Sequence, residues 1–130
     1  MISHNDIAIS IKADYAKAIF DGSKYFEFRH VRPKDTIDKM FIHVCGEDPS
    51  KIQGMAIVED VITGSVAEIW DRCKDGAGIT IEDFYDYFAG RRSATAYKLA
   101  DAKRFESPID LADLNIKHIP QSFTYVRRRS

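Results

Sequence analysis

Three side chains able to carry or move charge, Lys24, Glu27 and Arg29, fall within one short segment, Gly-Ser-Lys-Tyr-Phe-Glu-Phe-Arg-His at positions 22–30. A carboxylate beside an amine can act as a general base or orient a reactive lysine. Lys24 and Glu27 are therefore the candidate proton-transferring pair if the protein turns a substrate over. A guanidinium held by a neighbouring carboxylate keeps its planar fork in one orientation, ready to meet a phosphate with two parallel bonds or to stack on a base. Alternation over residues 25–29 places Tyr25, Glu27 and Arg29 on one strand face and Phe26 and Phe28 on the other. The phenylalanines are expected in the core and the other three along a surface. Lys24 formally shares the phenylalanine face, but at the strand's start it can swing free. The alternative is that Glu27 and Arg29 form an ordinary surface ion pair, contributing roughly 0–1 kcal/mol.

A second set of candidates would bind nucleic acid. Lys12 closes the first alternating segment and can reach the same rim, and Arg32 extends the basic run that holds Lys24 and Arg29. In Pro-Gln-Ser-Phe-Thr-Tyr, Gln121 can donate to and accept from a base edge, Ser122 can bond a phosphate and Tyr125 can stack. Their other reading is closure of the sheet, with Phe123 and Tyr125 in the core. Trp70, Phe84, Tyr87 and Phe88 recur at helical spacing and read as core or interhelix packing. His4, His30, His43 and His118 are scattered, and His43-Val-Cys45 has no second pair at a metal-site spacing, so neither metal nor cofactor is expected. Cys45 and Cys73 belong to no paired motif and read as reduced thiols, Cys45 in the core and Cys73 on a helix.

Net charge is −1, which on its own points to no polyanionic partner, but the distribution is uneven. Lys24, Arg29, Arg32 and Lys34 cluster against Glu27, acidic residues dominate from Glu59 to Asp86, and the chain closes on Arg127-Arg128-Arg129. That polarity fits a basic patch on one side of a small domain, or simply solvated faces. At 130 residues, 45% hydrophobic and 30% charged, the chain suits one globular domain. No apolar run is long enough to cross a bilayer and no signal pattern opens the chain, so a cytoplasmic location without membrane contact is expected.

The elements that must position these residues are legible from their periods. Ile7, Ile9 and Ile11 alternate with Ala8 and Ser10 as in a half-buried strand. Residues 13–22 change to helical spacing at Tyr15, Ala18 and Ile19, with Gly22 as the stop. Strands are then predicted at 25–30, 39–45 and 53–64, with a turn at 46–50. Ser65-Val-Ala-Glu68 has capping-box spacing, Thr80-Ile-Glu-Asp83 is a looser version, and Ile79 and Phe84 can form a hydrophobic staple. The second of these helices should end at Gly90. Residues 91–105 are strand-like at their centre, 107–114 read as a turn or short helix, and 118–126 as a closing strand. Without regular strand–helix alternation, this order argues for an α+β fold with a mixed sheet rather than a doubly wound one.

The segment Ile-Ser-Ile-Lys-Ala-Asp-Tyr-Ala-Lys-Ala-Ile-Phe-Asp-Gly-Ser-Lys-Tyr-Phe-Glu-Phe-Arg (9–29) resembles the opening of ASCH domains, the activating signal cointegrator homology group of the PUA-like superfamily. The pieces at 64–73, 77–99 and 120–126 follow in the order found in small prokaryotic members, so the resemblance covers about residues 7–126. It implies a small mixed β-barrel with flanking helices, and a cleft beside the first helix and the strand after it. It also implies recognition of RNA or of a modified base, or, in some members, amidohydrolase or ribonuclease activity. The amidohydrolase pattern sets a Lys, a Thr three residues on and a later acid. Lys24 matches the first, Glu27 stands in place of the Thr, and Ala77 stands where the acid is expected. The expectation is a PUA-like domain spanning 1–130 whose basic cleft binds single-stranded RNA or a nucleoside or nucleotide. Its alternative is a small hydrolase of a modified nucleoside or RNA working through Lys24 and Glu27.

Overall fold

In the computed structural model, residues 4–120 and 123–126 are described. The chain runs β1 (His4–Ile11), α1 (Ala13–Asp21), β2 (Phe26–Arg29), β3 (Thr36–Val44), β4 (Lys51–Ser65), α2 (Val66–Cys73), a 3₁₀ turn (Lys74–Gly76) and α3 (Ile81–Tyr87). It closes through β5 (Ser93–Asp110), a second 3₁₀ turn (Leu111–Leu114) and β6 (Phe123–Val126).

The helix boundaries follow the local chemistry. Gly22, at φ 88°, ends α1 in the left-handed region and its N–H closes on the Ile19 carbonyl. Ser65 Oγ accepts from the Glu68 N–H while the Glu68 side chain accepts from the Ser65 N–H, so both halves of the α2 capping box are made. Thr80 Oγ1 accepts from the Asp83 N–H at 3.1 Å and fixes the start of α3. Ile79 packs in the same apolar cluster as Phe84, as a staple requires. Helix α3 stops at Tyr87, and the chain turns through Gly90 at φ 77°.

The six strands of the described residues lie in the order β2-β5-β4-β3-β1-β6, with β1 parallel to β3 and the other neighbours antiparallel. The sheet is mixed, but no ladder joins its end strands β2 and β6, so the expected barrel is not closed by hydrogen bonding. Both end strands are only four residues long, and each pairs along one edge. Strand β1 was expected to be half-buried, yet Ile7, Ala8 and Ile9 are all fully buried. Its isoleucine face meets α1, β3 and β4 in the main core, and Ala8 on the other face packs with Ile52, Leu111, Ile116 and Val126. A second cluster sets Phe26 and Phe28 against Ile69, Cys73, Phe84 and Phe88. No helix of the described residues is long and apolar enough to cross a membrane.

Candidate functional site

The core faces of β2 are as the alternation requires, but its polar face is not a surface. Phe28 lies edge-on to Phe84, ring centres 4.9 Å apart, which docks β2 against α3. Glu27 is 5% exposed. Arg29 Nε and Nη2 both donate to Glu27 Oε2, at 3.1 and 2.8 Å, and Nη2 also donates to the Ser10 carbonyl at 2.9 Å. That carbonyl belongs to the end of β1 beyond its last pairing with β6, at Ile9. The guanidinium thus ties β2 to β1 by a side chain, and Nη1 is its one nitrogen without a partner among the described residues.

Lys24 does not swing free. It is 2% exposed, its N–H donates to the Ala18 carbonyl, and Nζ donates to the Ala77 carbonyl at 2.5 Å. Nζ lies 3.9 Å from Glu27 Oε1 and about 5 Å from the ring centres of Tyr15 and Phe28. The enclosure comes from the connector between α2 and α3. Gly78 sits at φ 59°, and a Cβ there would be 2.5 Å from Lys24 Cβ, so only glycine lets the lysine stem pass beneath. Gly76 lies likewise under the Tyr25 ring, and the Tyr25 N–H donates to the Gly76 carbonyl. Burial pulls the Lys24 ammonium below its ordinary pKa, and the Glu27 carboxylate works against that shift. Where the amidohydrolase pattern sets an acid, this chain offers the lysine the backbone carbonyl of a buried alanine.

These groups line one side of a cleft of about 560 Å³, together with Ser10, Lys12, Tyr15 and Cys45. The opposite side is α3, which contributes Asp83, Asp86 and Tyr87. Burial raises the pKa of the Tyr15 hydroxyl, and the negative charge of Asp83 adds to the rise. Burial likewise raises Tyr87, whose ring stacks on His30 at 4.1 Å while His30 Nε2–H donates to the Tyr87 carbonyl at 2.7 Å. Beneath the cluster, Tyr97 pairs with Glu27 in the β2–β5 ladder. It is fully buried, its hydroxyl has no hydrogen-bond partner among the described residues, and burial pushes its pKa up to about 12.

The cleft therefore gathers Lys12, Lys24, Glu27 and Arg29 of the sequence candidates. Arg32 is exposed and lines a separate depression with Lys34, Asp35, Glu59 and Asp60. Tyr125 packs against the main core and its hydroxyl accepts from the Lys34 N–H at 3.2 Å, away from the cleft. Gln121, Ser122 and the arginines at 127–129 lie outside the described residues. Cys45, expected in the core, is exposed at the cleft rim because the chain turns at Gly46 just beyond β3. Tyr87 meets the Phe88 ring edge-on at 4.8 Å, as its packing expectation requires, but it is exposed and also lines the cleft, while Trp70, Phe84 and Phe88 pack in the apolar cluster. His43 is buried and Nδ1–H donates to the Lys51 carbonyl at 2.8 Å. Among the described residues no group of three His, Cys, Asp or Glu is placed to hold a metal ion.

Ser10, Tyr15, Asp83, Asp86 and Tyr87 were not singled out as site residues. The available signal for the last three was the exposed side of α3, where Asp83, Asp86 and Tyr87 recur at i, i+3 and i+4.

No family model matches the chain. It is 31% identical over 129 residues to the ASCH domain-containing ribonuclease of Zymomonas mobilis, covering 95% of this chain and 85% of that protein. The chain belongs to the ASCH domain family. The crystal structure of the Zymomonas mobilis ASCH protein superimposes with a TM-score of 0.82 at 30% identity, over 95% of this chain and 88% of that one. A serine-to-alanine variant of the same protein gives a TM-score of 0.80 at 29% identity, over 95% and 89%. The ASCH assignment accounts for the order of elements, and the cleft lies where the family resemblance implies it, beside α1 and β2.

Proposed function

We propose that this ASCH domain acts on RNA and that its cleft seats one nucleotide unit of a single strand, with the phosphate against Arg29 and Lys12. The observation that carries the reading is the Lys24–Glu27–Arg29 cluster at the floor, two cations around one carboxylate. It leaves a net positive charge, and among the described residues it leaves Arg29 Nη1 unspent while Glu27 Oε2 holds the guanidinium in place. An arginine fixed in this way is suited to a phosphate oxygen. The name of the Zymomonas mobilis relative, a ribonuclease, supports RNA over other anions.

That name also favours a second step, cleavage of the bound strand. In metal-independent cleavage of RNA the ribose 2′-hydroxyl displaces the 5′-oxygen of the next nucleotide at phosphorus. One proton leaves the hydroxyl and one joins the departing oxygen. Lys24 and Glu27 are the candidate carriers, an amine whose pKa burial lowers beside a carboxylate 3.9 Å away. Arg29 and Lys12 supply the charge around the phosphoryl oxygens.

The test is titration of short single-stranded RNA oligonucleotides at low and moderate salt, with mass analysis of the RNA afterwards. Affinity should fall as salt rises, because seating a phosphate releases counterions, and Arg29→Lys should weaken it while keeping the charge. If the strand is cut, Lys24→Ala should slow cutting by about 10²–10⁴-fold. Affinity absent at low salt, or indifferent to salt, would sink the binding reading. Cutting that survives Lys24→Ala would move the chemistry away from this cluster.

A further inference from the structure

The cleft has two unlike sides. Lys12, Lys24 and Arg29 stand on the side built by β1, α1 and β2, and Asp83 and Asp86 stand on α3 opposite. Neither aspartate side chain has an ion pair or hydrogen bond among the described residues; the one capping bond at Asp83 uses its backbone N–H. Two exposed carboxylates lining the same cleft as the cations would repel a second phosphate, so a run of backbone cannot lie along both sides. What fits is a dipolar unit with one anionic end and one end rich in N–H donors.

A nucleotide is such a unit, and the carboxylates discriminate among its bases. An ionised carboxylate only accepts hydrogen bonds. Guanine alone among the standard bases presents two adjacent donors on its pairing edge, N1–H and the N2 amino group, which a carboxylate can take in parallel. Cytosine and adenine place one amino group beside an acceptor nitrogen. Uracil flanks its single imino N–H with two carbonyl oxygens, and both are repelled. Tyr15 on the first side and Tyr87 on α3 both line the cleft and supply aromatic surface for the base.

We propose that Asp83 and Asp86 are the specificity-determining residues of the cleft and that they select guanine. The inference rests on the nucleotide reading above and adds the identity of the base. It is tested by calorimetric titration of the full chain with the 5′-monophosphates of guanosine, cytidine, adenosine and uridine at low salt. Each is repeated on Asp83→Asn, Asp86→Asn and Arg29→Lys. Guanosine monophosphate should bind tightest and uridine monophosphate weakest. Each Asn variant should lower guanosine monophosphate affinity roughly tenfold, the scale of one base-edge contact, while leaving uridine monophosphate unchanged. Arg29→Lys should weaken all four alike. Equal affinity for the four, or Asn variants that shift all four together, overturns the guanine assignment while Arg29→Lys still reports on the phosphate reading. No binding by any of the four overturns both.

Discussion

The two sides of the cleft are built on opposite principles. On the β2 side the three charged groups of the floor are buried or half-buried and engaged, Glu27 with Arg29, Arg29 also with the Ser10 carbonyl, and Lys24 with the Ala77 carbonyl, while Lys12 at the rim is exposed. On the α3 side the Asp83 and Asp86 side chains are exposed, with no hydrogen bond or ion pair among the described residues. On the first side, removing Phe28 or Arg29 should disturb folding and function together. On the second, function should change while folding stays as it was. The difference matters because a preorganised floor loses little freedom when a ligand arrives, whereas an open wall can be altered to suit different ligands without risk to the fold.

The largest expected effect tests whether the floor depends on the core behind it. Phe28→Ala removes a buried ring that touches Phe84, Phe88 and Lys24, and should lower unfolding free energy by about 3–5 kcal/mol in denaturant titration. A loss under 1 kcal/mol would mean that β2 does not dock on α3 as described.

Next comes Arg29→Ala, which leaves Glu27 buried with only Lys24 at 3.9 Å and strips the Ser10 carbonyl of its donor. It should cost about 3 kcal/mol, the low end for breaking a buried pair. An unchanged midpoint would show that the pair is solvated and the two sides are alike.

Lys24→Met should behave differently, because Glu27 keeps its two bonds from Arg29. Losing a desolvated ammonium should be neutral or stabilising by up to about 2 kcal/mol. The sign with pH follows from the lowered pKa. Below the folded-state pKa the ammonium is held charged in a dry site, and its penalty is fully present. As pH rises through that value towards the unfolded 10.5 the folded protein sheds the proton first and the penalty is relieved. The stability of the parent relative to Lys24→Met should therefore improve from pH 7 to pH 9.5. A gap that widened instead would mean the charge is favourable where it sits.

Tyr97→Phe should stabilise by about 1 kcal/mol, since a buried hydroxyl with no partner is removed and no bond is lost. A clear destabilisation would reveal a partner for that hydroxyl. The smallest effect is expected at Asp86→Asn, within about 0.5 kcal/mol in the absence of ligand. A larger loss would give α3 a structural duty and erase the contrast between the sides.

What could be seen beforehand was whatever depends on neighbours in sequence. The caps at Ser65 and Thr80, the stop at Gly22 and the core faces of Phe26 and Phe28 are decided within a few residues, and the structure has each of them. The burial of Lys24 was not visible, because the groups that enclose it, Ala77 and Gly78, belong to a distant connector. For the same reason Glu27–Arg29 looked like a surface pair: strand period says which way a side chain points, not whether β1 and α3 will cover it. The open ends of the sheet were hidden too, since pairing between remote strands leaves no local trace. Tyr87 packs against Phe88 as its spacing suggests, but its exposure and its stacking on His30, just beyond β2, could not be read from the helix alone.

The glycines beneath Lys24 and Tyr25 also set an order of events. The lysine's bond to the Ala77 carbonyl spans 53 residues of sequence, so it cannot form until β2 and the α2–α3 connector have found each other. The helices and the β4–β5 pairing can be in place before that encounter. The Tyr25 amide proton, held by the Gly76 carbonyl of that connector, should therefore exchange whenever the two segments part.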